Sequence, residues 1–473
     1  MANLEMSTGL EELKWTQLLG KEDKAQLDPR MTLIMGQCFN WNKLKMAEEI
    51  DIWVAIVEGK ALAIKSEGDC TYYADLMDPG MDHDNYLRQY FQLDHNLEEL
   101  YKLWGQGCPR MKTVTTALPG VRVLRQDPWE CLISFICSSN NNIKRITLML
   151  DRLKRTYGTY VCSVVPDGDS YRVVKVPDPP AIEVSKTGID ASLFSASPKK
   201  TPLKSSKLTS AENALEESSL TEGTREVAPE TIHLFDFPSV NELAAASESD
   251  LRALGMGYRA KFLKGSAEKV LAHGGASWLE GLRTEASPRV GVVKDEIDSD
   301  VEKAAKRNKG KKKEVVPISH RLWVNEQLQS LPGVGRKVAD CVAVFSLDQS
   351  ESIPVDVHVW DIAVRDYDPA LHKALSLTPV IYEQVGDLFR QRFKLHAGWA
   401  HSVLFAAELP EFKKRLPLAM QVEMDQFDLQ QRQLKSEKRE SAKKRKLERK
   451  AAEEEFDVEI EVTGLEDAEA MEE

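Results

Sequence analysis

The sequence predicts an α+β protein: a first domain of mixed strands and helices over 1–118, a mainly helical domain over 119–418, and a charged tail over 419–473. Three observations predict it. Short β-rich runs broken by turn residues fill the first part. From about 119 the apolar residues recur every three to four positions. A Pro332-Gly-Val-Gly335 break then separates two amphipathic segments in the pattern helix, hairpin, helix.

In the first domain, Thr32 to Trp41, Ile52 to Glu58 and Lys60 to Lys65 read as strands, with Glu58-Gly59 as the turn between the last two. Leu97 to Trp104 has helical spacing. In the second domain the periodic segments are Trp129 to Cys137, Ile143 to Tyr157, Val240 to Leu254 and Lys261 to Ala272. Two stretches interrupt them, 184–228 with Ser195-Ala-Ser-Pro-Lys-Lys-Thr-Pro202, and 287–316 with Lys306-Arg-Asn-Lys-Gly-Lys-Lys-Lys313. Both lack the apolar density for a core and are expected to be disordered surface insertions.

Leu322 to Leu331 predicts the first helix of the hairpin unit. In the second, Val338, Cys341, Val342 and Phe345 share one face at i, i+3, i+4 and i+7. Glycines at 333 and 335 admit close approach of a phosphate backbone, and the amides that open the second helix, Val338 among them, are anion donors. A glycine hairpin also serves as a plain connector between helices. Lys337 lies in the first turn, where the dipole and partial burial both disfavour the ammonium, so a neutral nucleophilic amine is one expectation and a simple phosphate contact the other. Nineteen residues on, Ile353-Pro-Val-Asp-Val-His358 puts Asp356 at a helix N-cap before the apolar run Val357 to Val364. There the carboxylate caps, or stabilises a developing cation, or does both.

The net charge of −12 is misleading for a nucleic-acid partner. The last 23 residues hold eleven acidic residues and no Lys or Arg, and without them the remainder carries only −1. Ten Lys and Arg lie between Arg432 and Lys450. Lys443-Lys-Arg-Lys446 among them reads as a nuclear import signal, an auxiliary DNA contact or a solvated charged helix. The seven cysteines lack CxxC spacing, which predicts reduced, mostly buried thiols and neither a disulfide framework nor a zinc or iron–sulfur site. No secretion signal or apolar run of membrane-spanning length is present in the sequence. The expectation is an intracellular, soluble, monomeric protein.

Leu331-Pro-Gly-Val-Gly-Arg-Lys-Val-Ala-Asp-Cys341 followed by Val355-Asp-Val-His358 closely resembles the eukaryotic 8-oxoguanine DNA glycosylases of the helix-hairpin-helix superfamily. Gly36-Gln-Cys-Phe39 with Trp41, Leu124-Arg-Gln-Asp-Pro128, Ser134-Phe-Ile-Cys-Ser-Ser-Asn-Asn-Asn-Ile143 with Arg145, Leu254-Gly-Met-Gly-Tyr-Arg-Ala260 and Ala397-Gly-Trp-Ala-His-Ser-Val-Leu-Phe405 match in the same order. The resemblance spans roughly 10–410 and implies a TBP-like antiparallel sheet domain ahead of the helix-hairpin-helix glycosylase domain. It further implies a bifunctional glycosylase and AP lyase acting on double-stranded DNA with oxidised guanine, without metal or other cofactor, in the nucleus, with a mitochondrial pool left open.

By the same resemblance Lys337 is the Schiff-base nucleophile and Asp356 the catalytic carboxylate. Gly36 would offer its carbonyl to the N7 hydrogen of the oxidised base, Cys341 and Phe405 would sandwich that base, and His358 would touch a phosphate. Asn140 would fill the vacated stack, Arg145 and Arg259 would hold the orphaned cytosine, and Tyr258 would wedge beside it. Read without the family, Cys341 and Phe405 are core residues. His401 stands where the family usually has glutamine, and Cys38 and Asn40 where it tends to have serine and arginine. An imidazole offers one donor and one acceptor, so the expectation is an altered base preference, with titration near pH ~6.5 making recognition pH-sensitive. A same-fold glycosylase for another lesion and a noncatalytic DNA-binding module are the alternatives.

Overall fold

The computed structural model describes residues 6–46, 50–175, 230–283, 291–292, 316–317, 319–374 and 377–434, with 436–437 and 440–441 beyond. Strands β1 (Met6–Gly9), β2 (Thr16–Leu19), β3 (Asn42–Leu44), β4 (Asp51–Val57), β5 (Lys60–Glu67) and β6 (Cys70–Asp75) come first, and β7 (Tyr160–Asp167), β8 (Ser170–Lys175) and β9 (Ile232–Phe235) far later. They form two antiparallel sheets, ordered β2-β6-β5-β4-β3 and β1-β8-β7-β9. Glu58 and Gly59 both have positive φ, +48° and +74°, the mirror-image turn that suits a two-residue hairpin between β4 and β5.

Alternation along the strands decides what each face meets. Trp53, Ala55, Val57, Leu62 and Ile64 pack under helix α2 (Asp84–Tyr90), which follows the short helix α1 (Pro29–Thr32) in the chain. Ile52, Val54, Ile56, Ala61 and Ala63 face Cys162, Val164, Tyr171, Val173 and Leu234 of the second sheet. The sheet layer therefore recruits strands from well beyond residue 118. Conversely α3 (Leu97–Gly105) and α4 (Pro109–Ala117) bury Leu97, Leu100, Trp104, Met111 and Val114 in the helical core, so packing does not follow a cut at 118.

The helical layer comprises α5 (Pro128–Ser138), α6 (Ile143–Tyr157), α7 (Val240–Ala245), α8 (Glu248–Leu251), α9 (Ala260–Ala272) and α10 (Ala276–Gly281), then α11 (His320–Gln329), α12 (Arg336–Ser346), α13 (Val357–Ile362), α14 (Pro379–Phe393), α15 (Ala397–Glu408) and α16 (Pro410–Lys413). Caps set most starts: Asp127 and Asn142 accept from Glu130 N (2.7 Å) and Arg145 N (3.0 Å), opening α5 and α6. After residue 418 a charged helix runs to 434, seated by buried Met424 and by Glu423 on Arg110 at 2.7 Å. The basic run at 443–446 and the acidic end lie outside the described residues, as do the whole of the first insertion and most of the second. Within the second, Gly291–Val292 pairs with Val316–Pro317 as a two-residue ladder. Among the described residues no helix is long and apolar enough to cross a membrane, and all seven cysteines are buried.

Two expected elements take another form. Thr32 to Trp41 is not a strand: Asp28 caps a helical turn through Arg30 N (2.9 Å), and Gly36 at φ +83° breaks any extended run. Its backbone is held instead by the Gln37 side chain, which donates to the Thr32 and Arg122 carbonyls (2.9 and 2.8 Å) and accepts from Leu124 N (2.9 Å). Val240 to Leu254 is not one helix, because Ala246 is extended and Ser247 caps afresh through Asp250 N at 3.1 Å.

Candidate active site

The hairpin between α11 and α12 is fixed from behind by α9. Ser266 Oγ donates to the Pro332 carbonyl at 2.7 Å and Lys269 Nζ to that of Ser330 at 2.6 Å. Gly333 has φ +78°, and a Cβ there would lie 2.5 Å from Phe262 Cγ, so this glycine is demanded by the protein's own packing. Gly335 differs: a Cβ there would meet nothing within 4 Å, and it starts α12 with no side-chain cap. Any crowding at Gly335 would be felt by a bound partner. Gly333→Ala is accordingly expected to lower unfolding free energy by about 2–4 kcal/mol, from positive φ plus overpacking. Gly335→Ala should change it by no more than about 0.5 kcal/mol. Denaturant midpoints decide, and equal midpoints for the two variants would refute the distinction.

Lys337, at the second position of α12, is partly exposed, with Nζ 3.8 Å from Asp356 Oδ2 and 5.9 Å from the centre of the Phe135 ring. Asp356 caps α13 with its other oxygen, accepting from Val359 N at 3.1 Å. One carboxylate therefore caps α13 and faces the Lys337 nitrogen. The charge state of Lys337 departs from expectation. Lys337 is shifted above its ordinary value, by its coupling to the Cys341 sulfur first and then by the Asp356 carboxylate, against the burial that lowers it. Burial pushes the Cys341 thiol up to about 12, so near neutral pH it is uncharged and Asp356 is the anion facing the ammonium.

Around this pair lies a cleft of about 370 Å³, mouth included, whose walls include Gly36, Cys341, His401 and Phe405. Six residues drawn from four distant segments thus meet. Phe135, stacked on Phe345 at 5.5 Å, Gln37 and Pro354 complete the walls. They stood inside or beside the matched motifs with no role assigned, and apolar spacing alone marked the two phenylalanines as core. His401 is 3% exposed, and neither ring nitrogen has a hydrogen-bond partner in the protein. Burial lowers it to about 4, Lys337 also disfavouring a charged ring while Asp356 and the Gly398 carbonyl favour one. This corrects the expected titration near pH ~6.5: the ring stays neutral throughout the physiological range.

Four of the residues expected at the DNA surface, Asn140, Arg145, Tyr258 and Arg259, collect around the turn after α5. Asn140 is exposed with φ +50°. Tyr258, exposed after the positive-φ Gly255 and Gly257, donates to the Ser139 carbonyl at 3.1 Å. Arg259 is buried, donating to the carbonyls of Ser139 and Asn140, so here it braces the turn and is not presented outward. Arg145 is half-buried in the first turn of α6. The Val338 side chain is buried, leaving its first-turn amide as the group able to meet a phosphate. His358 is exposed and edges onto Phe405, ring centres 5.9 Å apart.

A sheet layer joined to a helical layer, with a glycine hairpin presenting a lysine to a capping carboxylate over a solvent-open cleft, defines a helix-hairpin-helix protein of the DNA base-excision class. Residues 219–370 match the HhH-GPD superfamily of base excision DNA repair proteins, and residues 21–132 match the N-terminal domain of 8-oxoguanine DNA glycosylase. The chain belongs to that superfamily and, within it, to the 8-oxoguanine DNA glycosylase family. It is 31% identical over 332 residues to the N-glycosylase/DNA lyase OGG1 of Arabidopsis thaliana, covering 70% of this chain but only 63% of that protein. It is 27% identical over 419 residues to the N-glycosylase/DNA lyase of Saccharomyces cerevisiae, covering 82% and 85%. The fold is shared with the Clostridium acetobutylicum 8-oxoguanine glycosylase/lyase solved with double-stranded DNA containing cytosine opposite 8-oxoG (TM-score 0.52, 19% identity, 80% of this chain and 91% of that one). MBOgg1 solved with a low-affinity DNA ligand shares it too (TM-score 0.54, 19% identity, 85% and 97%).

Proposed function

We propose that this chain is a bifunctional DNA glycosylase and AP lyase that excises oxidised purines, chiefly 8-oxoguanine opposite cytosine, in base-excision repair. The observation that carries the reading is the Lys337–Asp356 pair, 3.8 Å apart, on a cleft whose walls include Gly36, Cys341, His401 and Phe405. The Arabidopsis and yeast relatives are named as glycosylase and lyase, which supports carrying that chemistry to this chain. The Lys337 nitrogen bonds to C1′ as the C1′–N9 bond breaks, and the departing base takes that electron pair and a proton. Asp356 stabilises the positive charge that develops on the sugar. Ring opening yields the Schiff base, and loss of a C2′ proton expels the 3′ phosphate and cuts the strand. Metal or organic cofactors have no step to perform here. The partner is double-stranded DNA, bound by a monomer through the hairpin amides and the Asn140 and Tyr258 turn, in the nucleus.

The test compares excision from duplexes carrying 8-oxoguanine opposite cytosine, formamidopyrimidine and alkylated bases, between pH 5.5 and 8. The 8-oxoguanine duplex is expected to be the best substrate, with a KM flat across that range because His401 stays neutral. A KM inflection near pH ~6.5 would show a titrating ring. Excision of another base with none from 8-oxoguanine opposite cytosine would replace the substrate while keeping the chemistry, and His401 in the glutamine position is what favours that second reading. Lesion-independent binding without turnover would leave only a DNA-binding module.

A further inference from the structure

A chain of buried polar groups runs behind the catalytic pair and has no part in the chemistry above. Asp340, one turn along α12 from Lys337, is 3% exposed. Its Oδ1 accepts from Asn325 Nδ2 on α11 at 3.0 Å, and its Oδ2 accepts from the Tyr382 hydroxyl on α14 at 2.7 Å. That hydroxyl in turn accepts the backbone N–H of Val355 at 3.1 Å, with the Ile353 carbonyl 3.3 Å away. Val355 directly precedes Asp356.

From this geometry we infer that Tyr382, anchored by Asp340, is a positioning residue that sets where the Asp356 carboxylate stands relative to Lys337. The inference rests on the glycosylase reading above. Lys337 and Asp340 share one rigid helix, whereas Asp356 opens a six-residue helix at the end of an irregular segment. The two catalytic groups therefore belong to different elements, joined by the irregular segment 347–355. The Asp340–Tyr382–Val355 relay is a short cross-link between those elements. Its backbone acceptor is a single hydroxyl, so removing one oxygen releases the Val355 amide. Burial pushes the Asp340 carboxyl up to about 6, against the pull of the Tyr382 hydroxyl and Arg321. Outside the core, Arg336 and Arg390 both pair with Glu383, at 3.2 and 3.1 Å, tying α14 to the start of α12 and bracing α14 across two of its own turns. Such a relay is also a stabilising core network, which is why the test needs a readout that stability alone does not move.

Tyr382→Phe cuts the relay at the hydroxyl and Asp340→Leu cuts it at the anchor; either variant decides if the other does not fold. Single-turnover excision and borohydride trapping are followed from pH 6 to 9.5, with duplex affinity measured separately. The expected result is an excision rate lowered about tenfold to a hundredfold across that range, the scale of a misplacement near 1 Å, with duplex Kd unchanged within about twofold. Asp340→Asn, which retains polar partners for Tyr382, should recover most of the rate lost in Asp340→Leu. A folded cut variant with the wild-type excision rate throughout the range overturns the inference. Absence of trapping in the wild-type protein would instead remove the glycosylase reading itself.

Discussion

Lys337→Gln is expected to abolish borohydride trapping on 8-oxoguanine duplex and to lower strand cleavage by about a thousandfold or more, the range in which loss of an enzyme nucleophile falls. Glutamine is close to lysine in length and polarity but has no amine to bond C1′. Because the Lys337 head group is partly exposed and Asp356 still has Val359 N to cap, folding should be preserved. Duplex affinity should fall only modestly, with the salt dependence reduced by about one phosphate contact. The wild-type protein should react faster as pH rises from 6 to 9, since the reactive amine must be drawn from an ammonium held above its usual value. Trapping that persists in Lys337→Gln would assign the Schiff base to another amine.

Asp356→Asn should separate the two tasks of that carboxylate. Asparagine caps a helix as well as aspartate does, so stability should change by less than about 0.5 kcal/mol, whereas Asp356→Ala should lose about 1 kcal/mol with the cap. Both variants remove the negative charge 3.8 Å from Lys337 and should lower single-turnover excision about a hundredfold to a thousandfold. Removing that anion also frees the Lys337 amine at lower pH, so a lower plateau reached earlier is the signature. If Asp356→Asn keeps the wild-type rate while Asp356→Ala loses it, capping is the whole contribution and the carboxylate has no chemical role.

Lys337, Asp356, His401 and the hairpin were legible in the sequence because each sits in a local pattern: a proline–glycine break before an amphipathic helix, a cap before an apolar run, a motif at fixed spacing. Local pattern also located β4, β5 and most helices, since alternation and helical periodicity are properties of contiguous residues. It misread Thr32 to Trp41, where apolar residues are buried by packing between two layers and the backbone is satisfied by one glutamine side chain.

By itself the sequence determined the local elements, the hairpin and the residue types that can form a Schiff base. Tertiary structure alone decided which distant segments share a face: β7, β8 and β9 closing on the first sheet, Phe135 walling the cleft, Arg259 turned inward onto Ser139 and Asn140. It also decided charge. Lys337 is held protonated and His401 neutral, the reverse of the first and a correction of the second expectation, because each value is set by burial and by charges brought close only on folding. Tyr382 has no motif at all. Its relation to Asp356 exists only where α12, α14 and the segment before α13 come together, and no spacing along the chain encodes that meeting.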